Sequence, residues 1–508
     1  MKNVKALAVM LVFFSFVVLV GACTSGSRPV TITFLMLGNR PTNGRADAAL
    51  AELNKITAER IGAVLRLRYV EWADWQNQYQ LSLASQDPSF DLVTTATDWL
   101  YGWEIARRGG FYPLTPELLQ EHAPLSWESI PAAHWDLCTK DGYIWFIPED
   151  QYTQFTNHGM FWRRDWARAG GLEEINRFED LEIYFDIVKE TQPQAFPWDV
   201  SGNYLTLGLI GAYMQAKRAV QPILGIAAGN YHIFEYDAGD PYTVLSLSMD
   251  GDEIFEAARI LDRWSKKGFW REDVLNHMTD TGNLFMAGLS GAQQHHTNTF
   301  IQLREQMDRE QPGSEIQMYW FGKEINNVNR DLKTHAAIAV NGASRNVEKA
   351  LQMYDLIRND REIYLLYNYG IEGIDYIVHP DGTFGWPPGY NELTDGLGTN
   401  FWGGRVDKFE PVWDNWWAGR QDFIDHLDSF ARDYPLEKFV FDNTRVSAEL
   451  AALGDVCITH LPAIHYGKTN DPDRAVVDFR AALRRAGYDR VIAEIQRQLD
   501  AFKAELNH

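Results

Sequence analysis

The sequence predicts an α/β protein, because strand-like and helix-like patterns alternate from residue 30 onward. Residues 30–37, 64–70 and 90–94 are short apolar runs of the kind that buried strands show. Two segments with apolar residues at helical spacing, 45–60 and 75–85, separate these runs. A β-α-β-α-β order predicts parallel strands joined by right-handed helical crossovers.

The rest of the chain continues this mixed pattern, and no linker in it is long enough to separate independent domains. Residues 141–148 predict a turn and then a strand that ends at Pro148, and 335–340 predict another strand. The turn at 379–382 lies between two short strand-like segments, which predicts a hairpin. Helices are predicted in a stretch opening at Phe161 and at 179–191, 204–218, 251–267, 347–359, 472–487 and 489 onward.

The first residues resemble a lipoprotein signal. A basic start is followed by an apolar run over 6–20, which is too short to span a bilayer of about 30 Å comfortably. The run ends at Val-Gly-Ala-Cys, residues 20–23, which is similar to the motif at which bacterial lipoproteins are cut and lipidated. We therefore expect a signal peptide over 1–22, lipidation of Cys23 and a flexible tether over 23–29. The alternative is an ordinary secretory signal with a chance cysteine.

Composition restricts the classes of partner. Apolar residues make up 45% and charged residues 23% of the 508, which are ordinary values for a globular protein. The formal charge of −22 repels phosphate backbones, so we expect no nucleic-acid partner. Aromatic residues reach 13%, with 18 tryptophans, whose faces suit core packing and also stacking on sugar rings. Beyond the anchor, Cys138 and Cys457 fit either a disulfide or two buried thiols.

Segments spread over nearly the whole chain carry a resemblance to a known family. They are FDLVTT at 90–95, RGGFYPLT at 108–115, DGYIWFIP at 141–148, WRRD at 162–165 with AG at 169–170, AIAVNGASRNVEKA at 337–350, YGIEG at 369–373, and Ala486, Gly487, Glu494, Gln496 and Gln498. In this order and spacing they resemble bacterial extracellular solute-binding proteins of the family that includes maltose-type sugar receptors. The nearest similarity is to the long lipoprotein subgroup of carbohydrate ABC importers. Tyr143 and Val347 depart from the family pattern, where lysine and proline are usual.

The resemblance implies a two-lobed periplasmic-binding-protein-like fold of type II, with discontinuous lobes joined by hinge strands. Lobe 1 is expected over 30–147 plus about 335–385, and lobe 2 over 148–334 plus about 386–508, including the C-terminal helices. The crossing strands are expected at 145–148, near 334 and near 386.

The family's function implies an oligosaccharide ligand, ABC transporter permease subunits as partners and no cofactor. It also implies a monomer that is lipid-anchored on the extracytoplasmic face of the cell membrane. Two alternatives stay open: a surface adhesin that binds glycans without transport, and a secreted glycoside hydrolase that uses Glu149 and Asp150 as a carboxylate pair.

Sequence motifs of catalysis or metal binding are not found. There is no nucleophile elbow, phosphate-binding loop or zinc-protease motif, so we expect no catalytic residue and no metal. His295 and His296 are adjacent, and their side chains are expected to point apart and to form a polar cleft wall or plain surface.

Ligands of open α/β lobes bind at the carboxyl ends of strands, which nominates a set of candidate ligand-binding residues. They follow the first three strands, the strand at 145–148 and one position in a glycine-rich loop, and are Asn39, Arg40, Trp72, Trp75, Asp98, Trp99, Glu149, Gln151 and Trp402. We expect the tryptophans of lobe 1 to face Trp402 on the other lobe and to hold a sugar between indole faces. The alternative for each tryptophan is core packing.

Overall fold

The computed structural model describes residues 28–506 apart from four short internal segments. These segments are 73–74, 150–154, 156–157 and 203–207, and the side chains of Glu392 and Leu393 are also not described. Cys23, Asp150 and Gln151 therefore lie outside the described residues. None of the helices in the described part is long and apolar enough to cross a membrane.

The described residues form strands and helices throughout both halves of the chain. The strands are β1 (Val30–Leu37), β2 (Ala63–Val70), β3 (Leu92–Thr95), β4 (Thr139–Lys140), β5 (Tyr143–Ile144), β6 (Ile147–Pro148), β7 (His158–Arg163), β8 (Val220–Pro222), β9 (Glu235–Asp237), β10 (Asp240–Leu245), β11 (Ala292–His296), β12 (Ile316–Trp320), β13 (Ala337–Val340), β14 (Ile377–Val378) and β15 (Phe384–Gly385). The helices are α1 (Arg45–Ile61), α2 (Trp75–Ala84), α3 (Gly102–Arg107), α4 (Pro116–His122), α5 (Pro124–Ser129), α6 (Ala132–Leu137), α7 (Arg164–Ala169), α8 (Asp180–Thr191), α9 (Leu209–Lys217), α10 (Leu247–Asp250), α11 (Glu253–Lys267), α12 (Thr281–Met286), α13 (Thr297–Glu310), α14 (Val347–Asn359), α15 (Arg361–Asn368), α16 (Glu392–Asp395), α17 (Arg420–Asp428), α18 (Ser447–His465), α19 (Pro472–Arg485) and α20 (Tyr488–Leu506).

A five-stranded mixed sheet contains the predicted β-α-β-α-β start. Its strand order is β2-β1-β3-β13-β6, with β1 parallel to β2 and β3, and β13 antiparallel to β3 and β6. The strands predicted over 30–37, 64–70, 90–94 and 335–340 are confirmed, with small shifts at their ends. Because β13 pairs with β3, residues near 335 lie beside residues near 97, although they are far apart in sequence.

Two large hydrophobic cores define two lobes. The first core surrounds the five-stranded sheet and includes Phe34 and Tyr354. The second core lies among α8, α11 and α18–α20 and includes Trp264 and Leu499. A smaller cluster around Phe161 packs on the three-stranded sheet β11-β7-β12. We call the part around the first core lobe 1, and the part around the second core and the smaller cluster lobe 2.

The described residues change from one lobe to the other at three places: Ile147 belongs to lobe 1 and Phe155 to lobe 2, and the other two changes fall within 332–337 and 413–417. The third change lies later than the crossing that the sequence interpretation expects near 386. Phe401 and Trp413 pack in or against the first core, so lobe 1 extends beyond 385. Gly403 makes this packing possible, because a Cβ added there would lie 2.5 Å from the carbonyl carbon of Ala337.

One strand and one helix also differ from the sequence prediction, and the structure decides between the two alternatives for the cysteines. Residues 158–163 form β7 in the middle of a sheet, and the helix that was expected to open at Phe161 begins at Arg164. Helix α18 has no predicted counterpart. Cys138 and Cys457 are both free and buried, one in each lobe's core, so they do not form a disulfide.

Candidate ligand-binding site

Four tryptophans form one continuous aromatic surface, which we name the tryptophan wall: Trp72, Trp75, Trp99 and Trp402. Trp72 stacks on Trp402 with ring centroids 5.9 Å apart and ring planes at 28°. Trp75 and Trp99 meet edge to face at 5.4 Å, and Trp99 lies 6.3 Å from Trp402. Trp72 is 40% exposed and the other three are half-buried. Such indoles offer ring faces to a ligand, which fully buried core tryptophans do not.

The ends of neighbouring strands bring the first part of the wall together. Trp72 follows β2, and its backbone N–H donates a hydrogen bond of 3.2 Å to Oδ1 of Asn39, which follows β1. Trp75 is the first residue of α2. Because β1 and β2 are parallel, their carboxyl ends lie at the same edge of the sheet, as the sequence predicts.

The second part of the wall depends on contacts with the residues around β13. Trp99 follows β3, and its Nε1–H donates to the carbonyl oxygen of His335 over 2.9 Å. Trp402 begins a short 3₁₀ helix whose next residue, Gly403, packs on the backbone of β13. The hydroxyl of Tyr354 donates to the Gly403 carbonyl over 3.1 Å. Trp402 therefore belongs to lobe 1, and the expected arrangement of indoles from opposite lobes is wrong.

An ion-paired cluster lies beside the wall. Nδ1 of His335 is 2.7 Å from Oδ2 of Asp98 and 3.4 Å from Oδ2 of Asp331. Burial alone would lower the pKa of His335, but the charges of Asp331 and Asp98 and the hydrogen bond to Asp98 raise it to about 10. The ring is therefore an imidazolium at neutral pH and donates to Asp98. Asp98 is 8% exposed, and its Oδ1 is buried without a hydrogen-bond partner among the described residues.

Glu149 lies at the first crossing between the lobes, directly after β6. It is 4% exposed, and its backbone N–H donates to the carbonyl of Lys333 over 3.2 Å. Burial raises the pKa of the Glu149 carboxyl well above its usual range, while the charge of His335 opposes this shift. The protonated carboxylic acid is thus favoured, and it can donate a hydrogen bond as well as accept one.

Three histidines on lobe 2 lie close to this cluster. His158 pairs with His296 across β7 and β11, the rings of His158 and His295 stack at 5.6 Å, and those of His295 and His296 meet at 4.3 Å. The expectation that His295 and His296 point apart is wrong. His296 lies where β11 meets α13, and its Nδ1 accepts the backbone N–H of Thr299 as a helix cap, which holds its ring against His295.

These lobe-2 histidines are uncharged at neutral pH. Burial lowers the pKa of His295 to about 4 and those of His158 and His296 well below their usual range. The charge of His335 lowers the pKa of His158 and His296 further, which shows that the two groups of side chains are near one another.

Arg40 and Gln151 are the two candidates that the described contacts do not group with the wall. Arg40 follows β1, but its side chain is 66% exposed and its guanidinium lies 3.7 Å from Asp47 of α1. No described contact joins Arg40 to the tryptophan wall. Gln151 lies outside the described residues. The candidates that the structure groups around the wall and the ion-paired cluster are Asn39, Trp72, Trp75, Asp98, Trp99, Glu149 and Trp402.

Asp98, Asp331 and His335 are also, among the described residues, a group whose ligand atoms lie close enough to hold a metal ion, within 4.8 Å of one another. Nδ1 of His335 lies 2.7 Å from Asp98 and 3.4 Å from Asp331, and the pKa of His335, raised to about 10, keeps a proton on this nitrogen at neutral pH. A metal ion would have to replace this proton, because only a deprotonated imidazole nitrogen binds a metal. The geometry is explained without a metal by the ion pairs alone.

Direct contacts join the lobes beside the wall. The hydroxyl of Tyr101, after β3, donates to the carbonyl of Gly229 over 3.0 Å, and Nδ2 of Asn230 donates to Oε1 of Gln76 in α2 over 2.9 Å. A cavity of about 70 Å³ lies between the lobes, lined by Tyr101 and by residues of both lobes. This volume is well below the roughly 300–1,000 Å³ of typical small-molecule sites.

Known proteins share this architecture. A family model described as "Domain of unknown function (DUF3502)" matches residues 435–504, which lie in lobe 2. A carbohydrate ABC transporter substrate-binding protein of Streptococcus pneumoniae serotype 4 is 22% identical over 493 residues, covering 95% of this chain and 92% of that protein.

Solved structures extend the similarity to the fold. The N-glycan transport solute binding protein NgtS of Streptococcus pneumoniae, in complex with Man1GlcNAc, has a TM-score of 0.74 at 19% identity, covering 93% of this chain and 99% of its own. The chain has the fold of ABC-transporter solute-binding proteins. The alginate-binding protein AlgQ2 without calcium ion has a TM-score of 0.63 at 16% identity, covering 93% and 98% of the two chains. The FusA EF-hand mutant of S. pneumoniae in complex with fructo-nystose has a TM-score of 0.63 at 14% identity, covering 94% and 100%.

These similarities confirm the resemblance to solute-binding proteins and the two-lobed architecture, both of which the sequence predicts. The sequence interpretation misses Asp331, His335 and His158. One signal pointed to His335: it is the first residue of the predicted strand 335–340 and lies next to the crossing expected near 334. Asp331 and His158 carry no comparable signal, because their partners come from distant segments.

Proposed function

We propose that the protein is an extracytoplasmic solute-binding protein that captures an oligosaccharide between its lobes for import by an ABC transporter. The observation that carries this proposal is the tryptophan wall at the carboxyl ends of the lobe-1 strands, next to buried Asp98. Indole faces stack on the C–H faces of sugar rings, and a buried carboxylate accepts hydrogen bonds from sugar hydroxyls.

The extent of the wall favours an oligosaccharide over a single sugar. Its four indoles are in contact one after another, with centroid separations of 5.4–6.3 Å. The polar groups beside it supply both kinds of hydrogen-bonding partner, since Oδ1 of Asp98 accepts and a protonated Glu149 donates. NgtS and FusA, which share the fold, are named as complexes with Man1GlcNAc and fructo-nystose, and this supports a glycan ligand.

Binding without turnover fits the site better than glycoside hydrolysis does. A glycosidase needs two carboxyl groups on opposite sides of the scissile bond, one of them an ionised nucleophile or base that can act on substrate or water. Here Asp98 is held by the imidazolium of His335, and Glu149 is buried at the crossing between the lobes. The relatives are named as binding proteins of transporters, which also favours a receptor over an adhesin.

Membrane attachment through Cys23 belongs to the same proposal. Residues 20–23 (VGAC) end a short apolar run, and two acyl chains on such a cysteine give stable anchoring without a membrane-spanning helix. The protein is then a monomer on the extracytoplasmic face, next to its permease. Cys23→Ser should move the protein from the membrane to the soluble fraction and remove the lipid mass, whereas a variant that still pellets with membranes would contradict the anchor.

The test of the function uses the chain from residue 24 on, without lipid, and a panel of immobilised oligosaccharides. We expect reversible binding of at least one class of glycan, confirmed by calorimetry. Incubation with the bound glycan should release no reducing sugar. Retention of no glycan would overturn the receptor proposal, and steady release of reducing sugar would favour the hydrolase.

A further inference from the structure

We propose that His335 is a positioning residue that holds the ligand-facing side chains of Asp98 and Trp99 and links them to the segment that joins the lobes. The inference rests on the proposed function, because it assigns a role to a residue within that binding site. His335 does not need to touch the ligand itself.

His335 contacts both Asp98 and Trp99. The ring of His335 donates from Nδ1 to Oδ2 of Asp98 over 2.7 Å, and its backbone carbonyl accepts from Nε1 of Trp99 over 2.9 Å. The preceding residues reinforce the pairing, because the backbone N–H of Thr97 donates to the carbonyl of Thr334 over 3.0 Å. The turn after β3 is thus bound along its length to residues 334–335.

This arrangement leaves one oxygen of Asp98 for a ligand. Oδ2 is taken by His335, whereas Oδ1 is buried and has no partner among the described residues. A carboxylate held in one orientation loses less conformational entropy when a ligand hydroxyl binds, so its contribution to affinity is larger. The indole of Trp99 is fixed in the same way through its N–H, which orients its ring in the wall.

The charge of His335 is maintained by the groups around it. Asp331 faces it from its own segment, Asp98 from the end of β3 and Glu149 from the end of β6, while His158 and His296 lie near it on lobe 2. Burial disfavours the imidazolium, but Asp331 and Asp98 raise the pKa of His335 to about 10. The pKa in the folded protein is therefore above that of the unfolded chain. The stabilisation is complete below about pH 6.5 and is lost as pH rises through about 10.

The position of His335 connects the ligand site to lobe movement. Leu332 packs in the core of lobe 2 and Ala337 in the core of lobe 1, so residues 332–337 are one of the segments that must change conformation when the lobes rotate. Asp331 directly precedes this segment, His335 lies within it, and Asp98 lies on lobe 1. A ligand bound to Asp98 therefore favours one arrangement of the segment, and hence one arrangement of the lobes.

Two variants separate a positioning role from a structural one. His335→Gln keeps an N–H donor for Asp98 and leaves the backbone carbonyl to Trp99, whereas His335→Ala removes the donor. Calorimetry with the glycan retained from the oligosaccharide panel should show affinity falling about 10-fold or more in His335→Ala and about 3-fold or less in His335→Gln. His122→Ala, which removes a partly buried histidine of α4, is the matched control and should bind like the parent protein.

A measurement without ligand tests the cluster around His335 independently of glycan binding. Nuclear magnetic resonance of protein with ¹⁵N-labelled histidine rings should show one ring that stays an imidazolium up to about pH 9, and this signal should be absent from His335→Gln. Parent-like affinity in His335→Ala would overturn the inference. Failure of every glycan to bind would overturn the proposed function, while the ring titration would still decide whether the cluster exists as described.

Discussion

The tryptophans of this protein differ most clearly in how much of their surface remains exposed. Trp162, Trp198 and Trp264 are completely buried, whereas Trp72 is 40% exposed and its neighbours in the wall are half-buried. A buried indole contributes to stability but has no free face, so only the partly exposed ones can exchange water for a sugar ring. Composition alone, with 18 tryptophans, does not make this distinction.

Trp402 provides the residue-level test of the wall. Trp402→Ala removes the indole that stacks on Trp72, and one stacking contact of about 1 kcal/mol corresponds to roughly 5-fold weaker binding. Trp127→Ala is the matched control, because Trp127 is also a half-buried tryptophan of lobe 1 but packs on Trp135. Calorimetry on variants that remain folded should show weaker binding for Trp402→Ala alone. Equal affinities in both variants would remove Trp402 from the site.

Local sequence patterns predict one part of the site and not the other. Trp72, Trp75, Asp98 and Trp99 follow strands whose order is readable from a short stretch of chain, so the strand-end rule predicts that they lie at one edge of the sheet. His335 joins them only because β13 pairs antiparallel with β3, a contact between residues more than 200 positions apart. No local pattern carries that pairing.

Local sequence patterns also fail to predict whole elements whose position depends on long-range contacts. A helix-rich stretch is expected to open at Phe161, but pairing with both β11 and β12 makes residues 158–163 the central strand of a sheet. The lobe boundary expected near 386 fails for a related reason. The close approach of Gly403 to Ala337 holds residues 401–413 on lobe 1, and a glycine in a loop does not reveal what it packs against.

At the scale of the whole molecule, the contacts between the lobes bear on how a ligand enters. Tyr101 and Asn230 form hydrogen bonds across the boundary between the lobes. A cavity of about 70 Å³ lies at the same boundary, lined by residues of both lobes. For a two-lobed binding fold we expect exchange between separated and joined arrangements of the lobes, and a ligand that contacts both lobes then favours the joined one.

Removing the contacts between the lobes should shift this equilibrium. Tyr101→Phe deletes the hydroxyl that donates to Gly229 but keeps the ring, and Asn230→Ala deletes the donor to Gln76. A hydrogen bond contributes about 0.5–1.5 kcal/mol net, so each change should raise the ratio of separated to joined molecules roughly 2- to 10-fold.

Small-angle scattering of the ligand-free double variant should give a larger radius of gyration than the parent protein. Addition of a bound glycan should bring the radius of gyration back towards that of the parent protein, because a ligand that contacts both lobes favours the joined arrangement. Tyr143→Phe, which alters an exposed tyrosine elsewhere on lobe 1, is the control. Identical scattering from parent, control and double variant would show that these hydrogen bonds do not hold the lobes together.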